Sequence, residues 1–135
     1  MVIGFTGTSK GIPVHQLLGA ARLLNADDEF HFGDCVGADY QVWYMANSIG
    51  CWTVSHPPTN SKARAFCPAS VILRPRPYLI RNHDIVDVCD KLIATPHTIR
   101  EERRSGTWAT IRYARKQDKE IIIVGPDGTP RLDRS

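Results

Sequence analysis

The chain has 135 residues, 42% of them hydrophobic, and a formal net charge of +3. That length suits one compact domain with a real core and is too short for two. Its apolar runs are short, such as Ile121 to Val124, which excludes a membrane-spanning helix, and a small positive charge does not by itself announce a nucleic-acid partner. The start of the chain lacks a secretory pattern, so a cytoplasmic protein is expected. Cys35, Cys51, Cys67 and Cys89 are widely spread, without a CxxC pair or zinc-like Cys/His spacing, which predicts reduced, mostly buried thiols and no metal.

Met1 to Thr6 is an apolar run with almost no alternation, as expected for a strand buried on both faces, and it ends in Gly7-Thr8-Ser9-Lys10-Gly11. Pro13 suits the first turn of a helix, and Val14, Leu17, Leu18, Ala21 and Leu24 follow at helical spacing, predicting a helix to about Asn25. A second strand spans Glu29 to Phe32. It leads through the turn Gly33-Asp34-Cys35-Val36-Gly37-Ala38-Asp39 into a helix carrying Val42, Met45, Ala46 and Ile49, with Gly50 as its terminator. Cys51 to Ser55 is the third strand. His56 to Pro77 holds five of the nine prolines and reads as a surface excursion with a short extended piece at Val71 to Leu73.

Tyr78 to Asp90 is predicted as a helix, Leu92 to Thr95 as the fourth strand, Ser105 to Gln117 as a helix and Lys119 to Val124 as the fifth strand. Alternating strands and helices at this spacing imply an α/β fold: one doubly wound, Rossmann-like parallel sheet of about five strands in order 3-2-1-4-5. The domain spans residues 1–126 and residues 127–135 form a polar tail. Loops after strands one, two and four then share one crevice, where such sheets place ligands.

Gly7-Thr8-Ser9 and Ser105-Gly106-Thr107 offer that crevice N–H donors, hydroxyls and glycines that allow close backbone approach, as a phosphate cradle needs. Neither is a Walker A loop or a GxGxxG fingerprint. Asp34 and Asp39 could accept hydrogen bonds from ribose or a base, although for Asp39 the favoured role is that of an acid in the first turn of its helix. Arg81 and Asn82 reach the same crevice, a guanidinium fork being well shaped for phosphate. His31 and His83 are expected to be packed, not catalytic.

The segment Arg81-Asn82-His83-Asp84-Ile85-Val86, followed by Asp90-Lys91-Leu92-Ile93-Ala94-Thr95 and Ser105-Gly106-Thr107-Trp108-Ala109-Thr110, resembles the SLOG superfamily of Rossmann-like proteins. That group joins the DNA-processing protein A (Smf) domain with the Lonely-guy phosphoribohydrolases. The turn Gly33 to Asp39 is similar to the GGARGID turn of the DNA-processing members. In the Lonely-guy pattern Arg81 falls on the arginine of an RK pair, and Gly106-Thr107 fall on the GT of PGGxGTxxE. Thr110 stands at the glutamate of that motif, and Arg104-Ser105 replace two of its glycines.

The resemblance implies a nucleotide or nucleotide-derived ligand, such as an ADP-ribose-type molecule or a mononucleotide, held by Gly7, Thr8, Ser9, Gly33, Asp34, Gly37, Arg81, Asn82, Ser105, Gly106 and Thr107, with no separate cofactor. Two alternatives stay open. One is N-glycosidic hydrolysis of nucleoside 5′-monophosphates, for which Asp34, Glu101 and Glu102 supply candidate carboxylates beside Arg81. The other is single-stranded DNA binding by Arg74, Arg76, Arg100, Arg103 and Arg104, with Trp43, Trp52 or Trp108 stacking on bases. The helix from Gly37 to Ile49 is apolar most of the way round, which predicts a homodimer or higher assembly.

Overall fold

The computed structural model describes residues 1–133. In chain order it contains β1 (Val2–Gly7), α1 (Val14–Ala21), β2 (Glu29–Phe32), α2 (Ala38–Ile49), β3 (Trp52–Ser55), β4 (Val71–Ile72), α3 (Tyr78–Val88), β5 (Lys91–Thr95), α4 (Gly106–Lys116), β6 (Glu120–Val124) and β7 (Pro130–Leu132). They build one Rossmann-like sheet ordered β4-β3-β2-β1-β5-β6-β7. Every pairing is parallel except that of β7 with β6. The five longer parallel strands follow the predicted 3-2-1-4-5 order, and the reversal falls between β1 and β5.

Two short edge strands extend the predicted five. β4 arises from the extended piece at the end of the excursion, and Ser70 fastens it by exchanging backbone-to-side-chain hydrogen bonds with Thr53. β7 lies inside the segment read as a polar tail, and Arg134 and Ser135 of that tail lie outside the described residues. Its side chains are exposed, so no apolar alternation announced it. Backbone pairing to β6 and the two-pronged contact of Arg115 with Asp133, at 2.9 and 3.0 Å, hold it in place.

α1 stops at Ala21, four residues short of the expected end. Leu23 and Leu24 donate to carbonyls three residues back, and Asn25 N–H turns to the Asp28 carboxylate at 2.9 Å. Short polar side chains near a helix end offer the backbone this alternative to another turn. Gly50 ends α2 as expected, in the left-handed conformation at φ 105°.

The core lies in two layers, one on each side of the sheet. Phe5, Phe30 and Phe32 pack beneath α1 and α2, and Leu92 and Ile121 pack beneath α3 and α4, against Val86 and Ile111 of those helices. Trp43 is only 5% exposed and lies over Phe32 with ring centroids 6.4 Å apart. The supposed excess of apolar surface on α2 is therefore partly core: Val42, Trp43 and Ala46 face the sheet, while Tyr40 and Tyr44 remain exposed. No helix among the described residues is long and apolar enough to cross a membrane.

Candidate functional site

A parallel sheet carries all its strand ends of one polarity along one edge. The carboxyl ends of β1, β2 and β5 therefore open onto a common space, a cavity of about 870 Å³. Such a volume lies within the range of small-molecule sites. Gly7, Thr8, Ser9, Gly33, Arg81, Asn82, Ser105, Gly106 and Thr107 all line it, as does Glu102.

Gly7 must be glycine, because an added Cβ would overlap Thr95 Oγ1 and Ala38 Cβ. The β1 turn is tied to its neighbours on both sides: Thr8 N–H donates to Thr95 O at 3.2 Å and Ala38 N–H donates to Thr8 O at 3.0 Å. Opposite stands the start of α4. Ser105 caps that helix, its Oγ accepting from Trp108 N–H at 3.2 Å. The cap leaves the N–H groups of Gly106 and Thr107, first in the helix, directed out of its N-terminus. Lys10, Arg103 and Arg104 stand exposed at the rim, against one acid, Glu102. The rim is thus a net cationic surface carrying hydroxyl and backbone donors.

The floor differs in character. Arg81 is 3% exposed. Its Nη1 donates to Gly33 O at 2.6 Å, its Nη2 donates to Cys35 Sγ at 3.2 Å, and its guanidinium lies 4.8 Å from the centre of the Tyr78 ring. The Nε of Arg81 has no hydrogen-bond partner among the described residues. The Asp39 carboxylate stands 3.9 Å from Arg81 Nη1 and accepts from Cys35 N–H at 3.1 Å. Burial raises the Asp39 carboxyl to about 6, and the Arg81 charge opposes that shift. The Cys35 thiol is also pushed up, chiefly by burial, so its thiolate is disfavoured.

Several expected residues stand elsewhere. Asp34 is fully buried in a left-handed conformation, φ 55°. Its carboxylate takes Arg64 Nε and Cys67 N–H, each at 2.9 Å. It fastens the excursion and does not line the cavity. Gly37 lies behind the lining, where an added Cβ would overlap the Ser9 carbonyl. Glu101 turns away to Arg112 and Arg115, at 3.0 and 2.9 Å. Thr110 is buried and bonds back to Gly106 O at 3.0 Å.

Trp43 and Trp108 are 5% and 3% exposed, too enclosed to stack on bases. Trp52 is exposed but begins β3, at the opposite edge of the sheet. His31 is buried as expected, between Glu29 at 2.6 Å and His56 at 2.7 Å. His83 is exposed and stacks on Tyr113 at 3.7 Å.

The sequence reading missed Lys10, Tyr78 and His97 in the lining and underweighted Asp39. Lys10 was legible as the cation closing the first glycine turn. The others enter only because segments distant in the chain meet.

No family model matches the chain, and no curated protein matches it in sequence. Solved structures share its fold. A molybdenum cofactor binding protein from the phototrophic bacterium Rippkaea orientalis superposes with a TM-score of 0.72 at 18% identity, over 92% of this chain and 76% of that one. TM1055, a structural-genomics target, superposes with a TM-score of 0.66 at 17% identity, over 89% of this chain and 71% of that one. At these identities the likeness establishes the Rossmann-like fold, which many unrelated functions share.

Proposed function

We propose that the cavity binds a nucleotide or a nucleotide-derived molecule, its phosphate seated between the Gly7-Thr8-Ser9 turn and the N-terminus of α4. The observation that carries this reading is the convergence of two glycine-containing, hydroxyl-bearing turns on one cavity at the sheet's switch point, under a cationic rim. Two such turns and a capped helix N-terminus favour an anion in the way oriented N–H dipoles do. The fold shared with a cofactor-binding protein supports a small-molecule ligand here by analogy. Binding outranks hydrolysis because Asp34 and Glu101 are committed to protein partners and Thr110 stands where the resemblance places an acid.

Titration calorimetry with AMP, ADP, ADP-ribose, cyclic AMP and NAD tests the reading, with thermal shift alongside. Saturating ligand raises the melting temperature by mass action. If none of these binds at millimolar concentration, the proposal fails.

A further inference from the structure

We infer that Asp39 and Arg81 form a subsite for ribose hydroxyls, so that the cavity takes its ligand with phosphate at the rim and sugar on the floor, and selects ribonucleotides over 2′-deoxyribonucleotides. This rests on the nucleotide reading above and adds an orientation and a specificity to it.

The argument starts from what the floor cannot hold well. A phosphate placed on Arg81 would meet a guanidinium whose Nη1 and Nη2 are already donating to Gly33 and Cys35, with a carboxylate 3.9 Å from Nη1. A second anion beside Asp39 in so enclosed a place is disfavoured by like-charge repulsion. At the rim, by contrast, Lys10, Arg103 and Arg104 stand with the unspent N–H groups of α4. The two ends of the cavity therefore differ in charge, and an anionic group settles at the rim.

What the floor asks for follows from its unmet hydrogen bonding. Arg81 Nε–H is sealed from the cavity without a partner among the described residues, and Arg81 serves the floor through Nη1, whose charge 3.9 Å from Asp39 holds that carboxyl towards its ionised form. The Asp39 carboxylate has accepting capacity beyond the Cys35 N–H, so it calls for a donor. A sugar hydroxyl donates to that carboxylate and brings no charge of its own to the floor. An exocyclic amine of a base would donate to Asp39 as well, and comparison of AMP with IMP separates the two. Tyr78 links the two ends: its ring lies over Arg81, and its hydroxyl stands so close to Gly106 that an added Cβ there would overlap it. Asp34, at the end of β2 where doubly wound nucleotide folds often place a ribose-binding acid, is occupied with Arg64 and Cys67, leaving Asp39 as the acid on the cavity floor, while Glu102 stands at the rim.

The test is calorimetry of the intact chain with AMP, 2′-deoxy-AMP and IMP, on wild type and Asp39→Asn. A hydrogen bond to a charged group sets the expected scale. Wild type binds AMP about tenfold more tightly than 2′-deoxy-AMP and binds IMP like AMP. Asp39→Asn weakens AMP about tenfold and leaves 2′-deoxy-AMP nearly unchanged, so the preference disappears. Equal wild-type affinity for AMP and 2′-deoxy-AMP overturns the ribose subsite while the nucleotide reading stands. Loss of IMP binding with the ribose preference absent assigns Asp39 to a base amine and overturns it too. Failure of all three ligands to bind wild type overturns both readings. The wild-type comparison needs no variant and holds even if Asp39→Asn folds poorly.

Discussion

Arg81 Nη1 lies 2.6 Å from the carbonyl oxygen of Gly33, and a methyl group on Gly33 would occupy the space of that nitrogen. A residue in α3 thus depends on the absence of a side chain at the end of β2. Gly33→Ala must displace the guanidinium, and overpacking of this kind costs roughly 1–3 kcal/mol. Urea unfolding checks the value. Gly125→Ala is the control: its nearest atom is the flexible Ile99 Cδ1 at 3.3 Å, and it is expected to change stability little.

The buried Asp39 and Arg81 should be coupled. Removing the guanidinium leaves a buried carboxylate without its counter-charge, whereas removing both charges does not. Arg81→Met is expected to destabilise more than Arg81→Met combined with Asp39→Asn. A double-mutant cycle measures the difference. Strict additivity would contradict the coupling.

Stability between about pH 4 and pH 6 should reflect two opposed groups. Burial raises the Asp39 carboxyl from 3.8 to about 6, so the folded state holds that proton more tightly and stability falls as pH rises through this window. Burial, reinforced by the charges of His31 and Arg81, lowers His56 from 6.5 to about 4, so its contribution is lost as pH falls through the same window. The two slopes oppose each other, each on the order of 2–3 kcal/mol across the window. Asp39→Asn should make stability rise more steeply with pH than wild type, and His56→Gln should make it fall. Chemical unfolding at stepped pH reads both, and parallel curves for all three proteins would refute the assignment.

Asp34 should matter for the excursion and not for chemistry. Asp34→Ala removes the acceptor of Arg64 Nε and Cys67 N–H. The loss of buried hydrogen bonds is expected to cost roughly 1–3 kcal/mol, and amide exchange should quicken from residue 63 to residue 69. Protection equal to wild type there would show that the segment is held by something else.

Incubation of the protein with AMP, followed by chromatography, is expected to release no free adenine. Glu102 is exposed at the rim, and the buried Thr110 hydroxyl, bonded to Gly106 O, supplies no carboxylate for an oxocarbenium-like centre. Release of adenine that disappears in Glu102→Gln would replace binding by hydrolysis as the function.

Self-association remains the proposal for the outer face of α2. Tyr40 and Tyr44, one helical turn apart, are 46% and 57% exposed. Burying both would contribute roughly 3–6 kcal/mol before association costs. Light scattering should show a dimer or larger species that Tyr44→Glu dissociates, and a wild type monomeric at micromolar concentration would end the proposal. Trp43→Glu is not a surface test, because that indole belongs to the core.

The strand order and the position of the crevice were legible because both follow from local patterns. Apolar runs such as Met1 to Thr6, alternating with helical periodicity, admit few right-handed parallel arrangements, and those put the loops after β1, β2 and β5 on one edge. The turns Gly7-Thr8-Ser9 and Ser105-Gly106-Thr107 carried enough local chemistry to be found one at a time. Which acid faces the cavity was not a local matter. Asp34 and Asp39 lie five residues apart in one turn, and either has the chemistry for a ligand. Their difference comes from partners distant in the chain: Arg64 and Cys67 claim Asp34, while Arg81 draws Asp39 to the floor. β7 was hidden for the same reason. Its stability comes from β6 and Arg115, and no pattern within Pro130 to Leu132 encodes a neighbour's unpaired edge.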